Sequence, residues 1–147
     1  MDAASGPIGL GIPLVASGGL MILMIIAHAL GLTLISKLLR LQPDRLEEMN
    51  FNFQSIFLMC GITLALFALH TLEIWVFAAF YMLAGAMETL DGALYYSASA
   101  YATLGRTVEH FPDQLRLVGA AEALIGFLLI GWTTGFIISK TNKLLPD

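Results

Sequence analysis

Three ionisable residues stand out inside the apolar stretches of this 147-residue chain: His70, Glu73 and Glu122. His70 and Glu73 are three residues apart, which puts them on one face of a helix. A charged side chain at the centre of a bilayer costs at least ~2.5 kcal/mol, so such residues turn toward protein or water. The three are therefore expected to form a buried polar network. A proton-responsive site is a second reading, because histidine titrates near physiological pH and a neighbouring carboxylate moves that titration. A metal centre would need more ligands than His-x-x-Glu and one distant Glu unless subunits share them, so no metal is assigned. His28, alone in another apolar stretch, reads as a satisfied helix-packing residue. Ser97 and Ser99 have no base near them in sequence, and the chain holds no GxSxG, HExxH or phosphate loop. No catalytic residue, no enzyme activity and no cofactor is expected.

The elements that must position these residues belong to a membrane protein. Hydrophobic residues make up 58% of the chain and charged residues 12%, against about 45–50% and 25% in soluble domains. Three apolar runs, about 8–36, 53–84 and 115–139, are long enough to cross ~30 Å of hydrocarbon, which takes about 20 helical residues. The first lacks a basic leader and exceeds the length of a signal-peptide core, so it is expected to stay. It carries no spaced arginines and reads as a peripheral helix. A fourth apolar piece, 92–103, is too short to span, and Glu88, Thr89 and Asp91 offer capping oxygens and early negative charge at its start. It is expected to be a re-entrant helix ending at Thr103-Leu104-Gly105, with its negative end aimed inward. Gly85 is a plausible stop for the second run.

Basic residues orient the chain. Lys37, Arg40 and Arg45 follow the first span, Lys140 and Lys143 the third, and Arg106 and Arg116 lie between the second and third. The positive-inside rule places the N-terminus and the 92–107 loop outside and the C-terminus inside. A net charge of −4, spread over several loops, marks no nucleic-acid face. The single cysteine, Cys60, reads as a small buried residue and excludes a disulfide within one chain. In the third span Gly119, Glu122, Gly126 and Thr133 recur at three-, four- and seven-residue steps, a stripe that lets helices approach closely.

The stretches HTLEIWVFAAFYMLAGA (70–86), ALYYSASAYATLG (93–105) and LRLVGAAEALIG (115–126), with the Gly-Trp-Thr-Thr run at 131–134, resemble the potassium-channel superfamily. The likeness is to small bacterial ion-channel proteins with two core helices and a pore loop, and covers roughly 60–145. It implies an all-α membrane protein of three transmembrane helices with a re-entrant pore helix and loop between helices two and three. Residues 1–50 would form an N-terminal helix and cytoplasmic linker, and 51–147 a pore module. In that family a Thr-x-Gly-Tyr-Gly-Asp strand supplies backbone carbonyls from four subunits that replace the hydration shell of K⁺. The corresponding filter here is Thr103, Leu104, Gly105, Arg106 and Thr107, with Arg106 in place of the Tyr and Thr107 in place of the second Gly. Arg106 either pairs with Glu88, Glu109 or Asp113 or reaches the outer mouth. Gly126 stands where inner helices of the family bend and is the candidate gating hinge, with close helix packing as the alternative.

The resemblance thus implies a homotetramer in the inner (cytoplasmic) membrane, with the lipid bilayer and its own copies as partners. It would pass a monovalent cation, K⁺ or Na⁺, with relaxed K⁺ selectivity. The rival expectation is a non-conducting membrane scaffold or regulatory protein that keeps the channel fold. A third is a proton- or metal-responsive sensor built on His70, Glu73 and Glu122.

Overall fold

The computed structural model describes residues 8–41, 53–105 and 112–142. Four α-helices carry almost all of them: α1 (Ile8–Leu38), α2 (Phe53–Leu83), α3 (Leu90–Tyr101) and α4 (Arg116–Thr141), with a 3-10 turn at Asp113–Leu115 leading into α4. α1, α2 and α4 are long and apolar enough to cross a membrane, which makes this a multi-pass membrane protein. Helices suit that solvent because every backbone N–H and C=O is paired inside its own segment. The element boundaries fall within two residues of those expected, and Thr89 caps α3 by accepting a hydrogen bond from the Gly92 amide.

Each long helix buries one narrow stripe and leaves the rest exposed. On α2 the buried positions are Ser55, Ile62, Leu66, Glu73, Phe77, Ala78 and Tyr81, close to a heptad spacing. On α4 they are Val118, Gly119, Glu122, Ile125, Gly126, Leu129 and Thr133, so the small-and-polar stripe read from the sequence does face the interior. Cys60 differs from expectation: it is exposed on α2, because its position lies off that helix's buried stripe. α1 also departs from its peripheral reading. It packs along α4 and α2, burying Met24, His28, Leu32 and Ile35.

α3 lies against α2 and α4. It buries Ala93, Tyr96, Ser97, Ala100 and Tyr101, the i, i+3, i+4, i+7 pattern of an amphipathic helix, and Ser99 beside that stripe. Its last residue, Tyr101, meets α2 at His70 and Glu73 and α4 at Gly126. Both Glu73 and Gly126 are ten residues from the α3-side end of their helices, about 15 Å along the axis. α3 therefore ends about a third of the way along α2 and two-fifths of the way along α4.

Two apolar clusters fill the interior. One gathers Met24, Phe77, Tyr81, Tyr96, Ala100, Val118, Ile125 and Leu129 around α3. The other gathers Leu32, Ile35, Leu41, Ile62 and Leu66, with Phe136 and Ile137 against it. At that far end Lys140 donates to the Leu41 carbonyl at 3.3 Å, fastening α4 to the close of α1.

Three helices end the same way. The residue after the C-cap is left-handed in each: Arg40 (φ 52°), Gly85 (φ 68°) and Thr103 (φ 60°). The following amide reaches back five residues, as Leu41 to Ser36, Ala86 to Tyr81 and Leu104 to Ser99, at 2.8–2.9 Å. This is the Schellman closure, which glycine fits without strain. A β-branched threonine there is an outlier costing roughly 1–2 kcal/mol. Thr103→Gly is expected to stabilise the protein by about 1 kcal/mol, read as a higher melting temperature in detergent. An unchanged or lower melting temperature would mean that the Thr103 side chain repays its strain through contacts of its own.

Candidate functional site

The polar centre sits in the seam between the two apolar clusters. On α1, His28 is four residues from Met24 in one cluster and from Leu32 in the other. On α2, Glu73 is four residues from Phe77, and His70 four from Leu66. On α4, Thr133 is four residues beyond Leu129. One helical turn on each element thus brings all four residues to one level.

Their side chains close a ring. The His28 Nδ1 lies 2.8 Å from Glu73 Oε1, and the His70 Nδ1 lies 3.0 Å from Glu73 Oε2. The other edges of the two imidazoles converge on one hydroxyl: His70 Nε2 is 2.9 Å, and His28 Nε2 3.3 Å, from Thr133 Oγ1. Tyr101 enters from α3, its phenol donating to Glu73 Oε2 and standing 2.8 Å from His70 Nδ1. The imidazoles are 5.4 Å apart between centroids, and the Trp132 ring lies 5.4 Å from His28 on its other side. His28 and Glu73 are buried, with His28 at 0% and Glu73 at 2% exposure, while His70 keeps 17%.

Glu122 makes a second node. It accepts from the Tyr81 phenol at 2.7 Å and from the Ser97 hydroxyl. Ser97 Oγ is also 2.9 Å from the Ile74 carbonyl. This node holds the middle of α3 to α4 and α2, and the Glu73 node holds its end. The network expected from His70, Glu73 and Glu122 is therefore divided: His70 and Glu73 share one centre and Glu122 has another, with α3 bridging them. Every buried side-chain nitrogen and oxygen among the described residues has a partner, as groups without access to water require.

The sequence pointed to His70 and Glu73 but set His28 aside. A single histidine in an aliphatic helix has no spacing partner, and its contact with Glu73 spans 45 residues of sequence. Tyr101 and Thr133 gave no charge signal either. Among the described residues, His28, His70 and Glu73 form a cluster whose nitrogen and oxygen atoms lie within 4.8 Å of one another. Two imidazoles and a carboxylate suit zinc in kind, although here each of those atoms is engaged by a neighbour in the ring.

Of the expected filter, Thr103, Leu104 and Gly105 are exposed, Leu104 at 76%, and Gly105 is left-handed (φ 66°). Arg106 and Thr107 lie outside the described residues, as does Glu109. Asp113, one of the carboxylates considered for Arg106, pairs with Arg116 at 3.0 Å on the surface. Gly126 lies within a continuous α4, where a Cβ would stand 3.0 Å from the Tyr101 Cα and closer still to its carbonyl oxygen. A Cβ at Gly119 would instead meet the Tyr96 hydroxyl, the far end of a side chain.

Comparison with protein-family models, curated proteins and solved structures returns no match. The two glycines supply a graded test of the α3–α4 contact. Gly126→Ala, which meets backbone, is expected to cost about 3 kcal/mol, and Gly119→Ala, which meets the far end of a side chain, about 1 kcal/mol. Thermal denaturation in detergent measures both, and equal losses would contradict the geometry at Gly126.

Proposed function

We propose that the chain is a pore-loop ion channel subunit, four copies of which surround a shared path for a monovalent cation. The observation that carries this reading is where α3 ends. A twelve-residue helix held by two buried carboxylates stops about a third of the way along α2 and two-fifths of the way along α4, and Ala102 to Gly105 emerge from its tip onto the exposed surface of the single chain. In a bilayer, irregular backbone at that depth has to be buried in protein or to line water. Copies arranged about an axis provide that, since one loop gives a quarter of a ring. The C-terminal end of α3 also brings partial negative charge to the path, which favours a cation.

On this reading α3 is a re-entrant pore helix and Thr103 to Thr107 are the altered filter. α1 is the added N-terminal helix, while α2, α3 and α4 make the pore module. The meeting of Lys140 with the end of α1, near Lys37 and Arg40, collects basic residues at one end of the bundle. That end faces the cytoplasm by the positive-inside rule. Gly126 touches the tip of α3 and so joins the inner helix to the filter.

A second reading, a non-conducting scaffold with the channel architecture, draws on Thr103. Its left-handed closure continues the helix end into a tight turn, where the family resemblance implies an extended filter strand. Flux separates the two. Purified protein in liposomes is expected to pass K⁺ and Na⁺, and Arg106→Tyr with Thr107→Gly is expected to raise K⁺ over Na⁺. Absence of flux supports the scaffold, and flux with an ion preference indifferent to the double substitution removes the filter from 103–107.

A further inference from the structure

We propose that the ring of His28, Glu73, His70 and Thr133 is a proton-binding site, holding one proton more than two neutral imidazoles and a carboxylate bring, and that Tyr101 couples it to α3. The count follows from heavy-atom geometry. Both Nδ1 atoms face Glu73, so each carries a hydrogen, that of His70 being shared with the Tyr101 oxygen. The phenol hydrogen goes to Glu73. At the opposite edge both Nε2 atoms face Thr133 Oγ1, whose hydroxyl has a single hydrogen and can donate to one of them. The other Nε2 must donate in turn. These contacts require five hydrogens, whereas two neutral imidazoles, a phenol, a hydroxyl and a carboxylate bring four. One imidazole is therefore an imidazolium, and Glu73, accepting from His28, His70 and Tyr101, is the anion opposite it.

Charge balance leads to the same answer. The titratable groups facing the ring are His28 from α1, His70 and Glu73 from α2, Tyr101 from α3 and, beyond the phenol, Glu122 from α4. The described basic side chains, Lys37, Arg40, Arg116 and Lys140, sit at helix ends and contribute none of the ring's hydrogen bonds. Neutral histidines would leave the Glu73 carboxylate without a counter-charge in the middle of an apolar bundle, which is costly. The extra proton makes the ring neutral as a whole. His70, at 17% exposure, is the ring histidine open to the outside of the chain. Loss of that proton sets an Nε2 lone pair against Thr133 and removes the positive charge beside Glu73 and Tyr101, whose next residues are Ala102 and Thr103. If the chain conducts as proposed above, this makes flux depend on pH through α3.

Side-chain ¹⁵N NMR of the full chain in detergent micelles tests the site whether or not the protein conducts. His110→Gln leaves the two ring histidines as the sole imidazoles. Near neutral pH, one ring is expected to show both nitrogens protonated and the other Nδ1 alone. Thr133→Val removes the oxygen that requires the fifth hydrogen and is expected to lower the imidazolium population at the pH where the parent holds it. Thr133→Ser is expected to restore it. Two neutral rings throughout the titration of the parent, or an imidazolium indifferent to Thr133→Val, overturns the proposal. Exchange of the Nδ1 protons for equimolar zinc chloride would make the ring a metal centre and overturn it as well.

Discussion

The fold depends on how one carboxylate, Glu73, is satisfied where water is scarce. A buried anion in an apolar bundle has to find its donors within the protein, and each donor here comes from a different direction: His28 from α1, His70 from its own helix, Tyr101 from α3. Thr133 then ties the two histidines to α4. Four helices are thus specified against one another by directional bonds, which lipid-facing aliphatic surfaces cannot do. In a membrane, apolar side chains gain little by leaving lipid for protein, so small residues and polar contacts decide the register.

The division of the interior follows from this. The two apolar clusters pack above and below the polar level, and none of the three long helices passes from one to the other without a polar side chain at the crossing. Removing one partner would strand the rest beyond the reach of water. The Glu122 node repeats the principle one step away, fastening the body of α3 as the ring fastens its end.

Much of the architecture could be read from the sequence because membrane physics writes it plainly. Three apolar runs of spanning length, a short helix over 92–103 with capping oxygens at Glu88, Thr89 and Asp91, and a stop at Gly85 are local features, and each has its counterpart in the structure, the short helix two residues earlier at Leu90–Tyr101. His70 and Glu73 also declared themselves, as charges where charges are expensive. His28 did not, since its meaning comes from a helix 45 residues away. Tyr101 looked like one aromatic among several in YYSASAY, and the strain at Thr103 is a backbone property that composition does not encode. The small-residue stripe was legible as close packing, while what touches each glycine required the third dimension.

The backbone contact at Gly126 has a mechanical consequence. It brings α4 so near the tip of α3 that the two cannot slide apart there without losing the contact, which makes that point the fulcrum for any tilt of α4. From Gly126 the shorter arm runs back to Arg116, about 15 Å, and the longer to Thr141, about 22 Å. A tilt of about 5° leaves the Tyr101 contact in place and carries the far end of the long arm through about 2 Å. Small displacements of the helix at α3 therefore emerge enlarged at the opposite face, where Lys140 grips the end of α1.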